Sequence, residues 1–191
     1  VYDYGVQDGT PYIVMELLEG ENLGQRLARV GRMGLAESVV ILLQVCRGLK
    51  AAHAAGLVHR DIKPGNIFLA RRDDQEVVKL LDFGVVKAVD RRGESEATAS
   101  GILLGTPQYM SPEQARGNKT VDHRSDLWSV AVILFRMLSG VNPFRGDSVG
   151  DVVLKICSDE LPRIRDQIPE LPADVDDFFL TALARSPEER F

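Results

Sequence analysis

Alternation gives way to helical spacing early in the chain. Val1, Tyr2 and Tyr4, then Tyr12, Ile13, Val14 and Met15, are β-branched, aromatic or apolar positions on either side of Gln7-Asp8-Gly9-Thr10-Pro11. This predicts strands at Val1–Gly5 and Tyr12–Glu16 joined by a turn. Leu23 and Leu27, four apart, predict a short helix over Asn22–Val30. Ala36–Ala55 carries Val39, Val40, Leu42, Leu43, Cys46, Leu49 and Ala52 on a broad apolar stripe, with Gly56 as its stop. Leu57–Leu69 mixes apolar and polar residues too tightly for either period and reads as a packed loop, and Val77–Leu81 reads as a strand running into Asp82-Phe83-Gly84. Residues 87–101, small and polar with charges of both signs, read as a mobile surface loop. Asp126–Ser139 is apolar almost all round and followed by Gly140, the pattern of a helix at the centre of a core. Val149–Cys157 and Val175–Leu183 are amphipathic, and Ser186-Pro187-Glu188-Glu189 looks like the opening of another helix.

Composition adds exclusions. The 191 residues are 45% hydrophobic and 27% charged, enough to bury one core. Basic residues number 23 and acidic ones 28, for a net charge of −5, without the basic excess of a nucleic-acid or anionic-membrane binder. Cys46 and Cys157 lie far apart in apolar stretches, which suits a reducing compartment and excludes a disulfide framework. The apolar run Val130–Phe135 is far short of the roughly 20 residues a membrane span needs. No charged-then-apolar leader opens the chain, so the expectation is a cytosolic-type segment. An isolated hairpin is marginal, and residues 1–16 are expected to be the edge of a larger sheet, with both ends of the chain cut from a longer protein.

The segment with the most chemistry is His59-Arg60-Asp61-Ile62-Lys63-Pro64-Gly65-Asn66. Within one short loop it offers a carboxylate to orient and deprotonate a hydroxyl and an ammonium to neutralise a moving phosphoryl group. It also offers an amide oxygen for a hard divalent ion. Asp82, twenty-one residues after Asp61 and beside Gly84, is placed to add a second oxygen ligand. Either triplet alone is weak evidence; in this order and spacing the set points to phosphoryl transfer.

With these motifs on the page, the sequence resembles a eukaryotic-type (Hanks-type) serine/threonine protein kinase of the bacterial branch. The likeness continues through Gly105-Thr106-Pro107-Gln108-Tyr109-Met110-Ser111-Pro112-Glu113, Asp122-His123-Arg124-Ser125-Asp126-Leu127-Trp128-Ser129 and Pro187-Glu188-Glu189-Arg190. It implies an α+β, protein-kinase-like fold over residues 1–191: last small-lobe strands and the start of the hinge at 1–16, and a mostly helical large lobe at 17–191. It implies ATP and Mg2+ as cofactors and Ser/Thr-bearing proteins as substrates. By resemblance, Asp61 accepts the substrate proton, Lys63 contacts the γ-phosphate, Asn66 and Asp82 hold magnesium, and Thr106 sits beside Asp61. Met15 is the gatekeeper, Glu16–Leu18 the hinge for adenine, and Phe68 lies beneath the ring. His59 and Phe83 stack in the regulatory spine, while Met137 falls in the catalytic spine. Arg60 pairs with a phosphorylated activation-loop residue, for which Thr98 and then Ser100 are the candidates. Glu113 pairs with Arg190, and Asp126 anchors the catalytic loop.

Simpler readings stand beside these. Asp126 could be only a helix cap, Glu113–Arg190 an exposed pair worth at most ~1 kcal/mol, and His53 and His123 surface or packing residues. Trp128 and Met137 suit the core. Val86, Ala131 and Ser111 replace residues usual in the family. No Gly-rich phosphate loop, strand lysine or partner glutamate occurs in the 191 residues, so half a nucleotide site and uncovered apolar surface on the hairpin are expected. A scaffolding pseudokinase and a small-molecule phosphotransferase are the rival functions. Membrane anchoring through another segment and homodimerisation are left open by the resemblance.

Overall fold

A computed structural model describes residues 2–73, 75–82 and 107–191. Strands β1 (Asp3–Gln7) and β2 (Thr10–Val14) pair antiparallel with Gln7 opposite Thr10. The turn is therefore only Asp8-Gly9, both left-handed at φ 51° and 79°, the conformation that Asp-Gly supplies in a two-residue hairpin. This tighter turn moves both strands from the predicted Val1–Gly5 and Tyr12–Glu16. The hairpin's apolar side chains stay exposed, among them Tyr4 at 79% and Val6 at 70%, the uncovered surface expected from sequence.

A second sheet, β3 (Gly20–Asn22), β4 (Ile67–Arg72) and β5 (Gln75–Leu80), is antiparallel in that order. It corrects the reading of Leu57–Leu69 as a loop throughout. After a 3-10 turn at Pro64–Asn66 the chain enters β4, with Ile67 and Leu69 buried and Phe68 half-buried between them. Its alternation was hidden by the irregular loop fused to it. Gly20 is required at the start of β3: its φ is +138° and a Cβ there would run into the Leu69 carbonyl oxygen.

Helix α1 (Leu23–Val30) starts at Asn22, whose Oδ1 accepts from Gln25 N at 2.9 Å, while Gln25 Oε1 accepts from Asn22 N at 2.8 Å. This reciprocal cap satisfies two otherwise orphaned amides. Arg26 on α1 binds Glu21 on β3 and Glu76 on β5, the latter at 2.6 Å, fastening helix to sheet. Helix α2 (Leu35–Ala54) buries Ile41, Leu42, Val45 and Leu49. Val39, Val40 and Leu43, assigned from sequence to the same stripe, are instead exposed, because the helix meets the core along a narrower face.

After α3 (Pro112–Ala115) comes α4 (Arg124–Ser139), ended by Gly140 at φ 77°. Trp128, Val132, Ile133, Phe135 and Met137 on α4 are completely buried, which makes it the central helix its pattern predicted. Met33 N donates to Met137 O at 2.6 Å, Trp128 stacks on Phe144 and Phe135 meets Phe179 edge-on. Helices α5 (Val149–Ser158) and α6 (Asp174–Ala182) complete the helical layer. The expected helix at Ser186–Glu189 is a single 3-10 turn, Pro187–Glu189, after which Arg190 is extended and points inward.

That inward turn makes a buried ion pair. Arg190 donates Nη1 to Glu113 Oε1 and Nη2 to Oε2, both at 2.9 Å, and Ser125 Oγ donates to Oε1 at 2.5 Å. The guanidinium also lies 4.9 Å from the Trp128 ring centroid and donates to the carbonyls of Ala184 and Arg185. The exposed-pair reading is thereby excluded. Burial pushes the Glu113 carboxyl up, but the bonds from Arg190 and Ser125 outweigh it and hold the group at about 2, from an ordinary 4.5. The unfolded chain therefore takes up this proton first. The pair's contribution is complete above about pH 4.5 and is lost as pH falls towards about 2. Glu113→Gln is expected to cost roughly 3–5 kcal/mol in denaturant unfolding at pH 7. The same substitution should flatten the acid limb of stability against pH; an unchanged acid limb would show that the carboxylate is not held in this way.

Candidate functional site

Residues Val58–Lys63 have neither helical nor strand geometry, so their backbone amides need other partners. One carboxylate supplies partners for two of them. Asp126, 1% exposed in the first turn of α4, accepts from His59 N on Oδ2 at 2.9 Å and from Arg60 N on Oδ1 at 2.8 Å. His53 Nε2, in the last turn of α2, donates to Oδ2 at 2.8 Å. Asp126 does not cap its own helix; that position is His123. Bonds to an ionised acceptor are about twice as strong as neutral ones. They offset the left-handed backbone of Arg60, φ 65°, which costs a non-glycine residue about 1–2 kcal/mol. From the other side Gln114 Nε2 donates to Arg60 O at 2.8 Å.

His53 was read from sequence as a surface or packing residue, and the structure corrects this. Its signal was its place near the C-terminus of a helix that ends just before the loop, which aims the ring at whatever anchors that loop. His123 stacks obliquely on it with ring centroids 5.5 Å apart.

The loop brings three predicted residues together. Lys63 Nζ donates to Asp61 Oδ2 at 2.8 Å, and Asn66 Nδ2 donates to Asp61 O at 2.8 Å and to Oδ2 at 3.2 Å. Asp61 and Lys63 are partly open to solvent and Asn66 is buried. Leu81, just past the end of β5, closes the arrangement: its N donates to Asn66 O at 2.9 Å, and its carbonyl accepts from His59 Nε2 at 2.9 Å. The chain thus delivers Asp82, exposed and left-handed at φ 54°, next to the Asn66 end of the loop.

The amide oxygen of Asn66 and the carboxylate of Asp82 have no hydrogen-bond donor among the described residues. Two hard oxygens of this kind fit a magnesium ion, which keeps several waters and takes its remaining ligands from substrate phosphates. Among the described residues no cluster of three or more His, Cys, Asp or Glu side chains forms a self-sufficient metal cage.

Of the predicted adenine-binding residues, Met15, Glu16 and Leu18 lie on the link between the two sheets and Phe68 lies on β4. Met15 to Glu19 link β2 to β3 without regular structure; Met15 and Glu16 are exposed and Leu18 is half-buried. Glu16 reaches Lys79 on β5 at 3.2 Å, and Lys79 stands opposite Phe68 in the ladder. Phe83, Thr98, Ser100 and Thr106, with the predicted loop at 87–101, lie outside the described residues.

The protein kinase domain family matches residues 1–191 in full. The chain is 42% identical to the serine/threonine-protein kinase PknL of Mycobacterium tuberculosis, over all of the chain and 46% of that protein. It is 40% identical to the serine/threonine-protein kinase pkn3 of Myxococcus xanthus, over 36% of its length, and 39% identical to the kinase PknA of M. tuberculosis, over 43%. The chain thus spans less than half the length of these relatives.

Asp126→Asn places an amide NH2 where at least one backbone N–H now donates. It is expected to lower stability by about 1–3 kcal/mol and to speed amide hydrogen exchange at His59 and Arg60. Exchange at those two amides matching the unaltered protein would show that the carboxylate does not hold the loop.

Proposed function

The chain belongs to the protein kinase domain family, and from that premise we propose that it forms the catalytic large lobe and hinge of a serine/threonine protein kinase. In this reading residues 1–16 are the last small-lobe strands and the start of the hinge, and 17–191 the large lobe. The reaction is transfer of the γ-phosphate of ATP to a Ser or Thr hydroxyl of a protein. The observation that carries it is the Asp61–Lys63–Asn66 cluster on a loop anchored to the central helix, with Asp82 delivered beside it.

Each residue then has a task its position allows. Asp61, its Oδ2 fixed by Lys63 and Asn66, orients the substrate hydroxyl and accepts its proton as the oxygen bonds to the γ-phosphorus and the bond from that phosphorus to the bridging oxygen breaks, releasing ADP. Lys63 lies 2.8 Å from that carboxylate and offsets charge on the transferring group. Asn66 and Asp82 would hold magnesium, which neutralises charge on the phosphates when bound. Met15, Glu16, Leu18 and Phe68 would line the adenine side. Arg60, with its backbone fixed at both N and O, would present its guanidinium to a phosphate on Thr98 or Ser100. No described helix is long and apolar enough to cross a membrane, and the reading places this domain in the cytoplasm, acting on protein rather than nucleic acid.

The Gly-rich loop and strand lysine that cover ATP phosphates in this family are not among the 191 residues, so the chain by itself is expected to be inactive. The test is radiolabelled phosphate transfer from ATP with magnesium, using the chain with its natural flanking sequence. Asp61→Asn is expected to lower kcat by about 10²–10⁴-fold without loss of ATP binding. Absence of transfer in the unaltered protein, with ATP still bound, would replace this reading by a scaffolding one.

A further inference from the structure

The link Met15–Glu19 joins the two sheets without a hydrogen-bonded ladder of its own, so its course is set by contacts at particular points. Its far end is fixed through the main chain: Glu19 O accepts from Arg71 N on β4 at 2.8 Å. Its near end is held by a side chain. The Glu16 carboxylate reaches across to β5 and accepts from Lys79 Nζ at 3.2 Å.

The place of Lys79 in the sheet gives this pair its meaning. Side chains alternate along a strand. Leu80 and Val78 stand opposite the buried Ile67 and Leu69 and pack against the hydrophobic core with them. Lys79 and its direct ladder partner Phe68 therefore share the other face, the one the kinase reading assigns to adenine. A half-buried aromatic ring there suits a purine. The ammonium beside it has one hydrogen-bond acceptor among the described residues, Glu16 on the link.

The pair is open to water, with Lys79 38% and Glu16 54% exposed, and pairs of this kind add little to stability. Holding a linking segment in place is a different task. It removes freedom that a ligand otherwise has to restrict when it binds.

We propose that Lys79 is a positioning residue for adenine: through Glu16 it holds the backbone of Glu16–Leu18 over the face that carries Phe68, so that a purine is received between them. The identity of the ligand rests on the kinase reading; the task of Lys79 goes beyond it. A lysine near a nucleotide can instead attract the phosphates, and the two roles differ in sign. When the pair places the link, loss of either charge loosens it and weakens binding. When the lysine attracts phosphate, loss of the Glu16 carboxylate frees the ammonium and tightens binding.

The experiment uses the protein with its natural flanking sequence and measures displacement of a fluorescent ADP analogue by adenosine and by ADP, without a protein substrate. Lys79→Met and Glu16→Gln are each expected to weaken adenosine about two- to fivefold and ADP by the same factor. Lys79→Arg should keep the affinity, and the charge reversal Glu16→Lys/Lys79→Glu should restore it, with melting temperatures unchanged throughout. Unaltered adenosine affinity in the two single variants overturns the proposal. So does tighter ADP binding by Glu16→Gln, or a loss that the charge reversal leaves in place. Absence of adenine binding in the unaltered protein overturns the kinase reading as well, whereas intact binding with indifferent variants overturns this assignment alone.

Discussion

Everything at the candidate site depends on where the carboxylate of Asp126 can be put. The loop after α2 has no regular hydrogen-bond ladder, yet it must hold Asp61, Lys63 and Asn66 within one hydrogen-bonded cluster. Asp126 meets that demand from the most deeply buried helix of the chain, accepting from two consecutive amides and from His53. A buried carboxylate without such donors is costly, and an irregular loop without acceptors is equally so. Each answers the other's need, which couples the shape of the loop to the packing of α4.

A second buried carboxylate divides the work. Glu113 and Arg190 join α3 to the end of the described chain and lean on the Trp128 ring, close to Ser125 at the start of the same central helix. Both fixed points therefore converge on the first turns of α4. Gln114, next to Glu113, reaches Arg60 O, so the same short helix α3 touches the loop and the ion pair together. Movement of α3 would be felt on both sides.

Helix α4 was legible in its run of apolar residues, and so were the ends of α1 and α2, because 3.6-residue spacing and the stops at Gly56 and Gly140 are local signals. The Asp61–Lys63–Asn66 set was legible for a similar reason: the residues are close in sequence and need only a tight turn to meet. Strand β4 was not, since Ile67–Arg72 follows an irregular loop without a break and its partners, β3 and β5, come from separate parts of the chain. The exposure of Val39, Val40 and Leu43 was equally hidden, because hydrophobicity marks what can be buried and not how wide the contacting face is.

His53 shows the boundary most clearly. Its sequence neighbours are alanines, and nothing nearby says that it meets a carboxylate 73 positions further on. The order of the elements, the central helix, the family motifs and the residues offered for phosphoryl transfer were determined by the sequence alone, through short-range spacing. Which alternative each charged residue adopted was decided by tertiary structure. Asp126 became a loop anchor rather than a cap, and Glu113–Arg190 a buried pair rather than a surface one. The reason is physical: the energy of a charge depends on its burial and on partners brought from distant segments, and those exist only once the chain has folded.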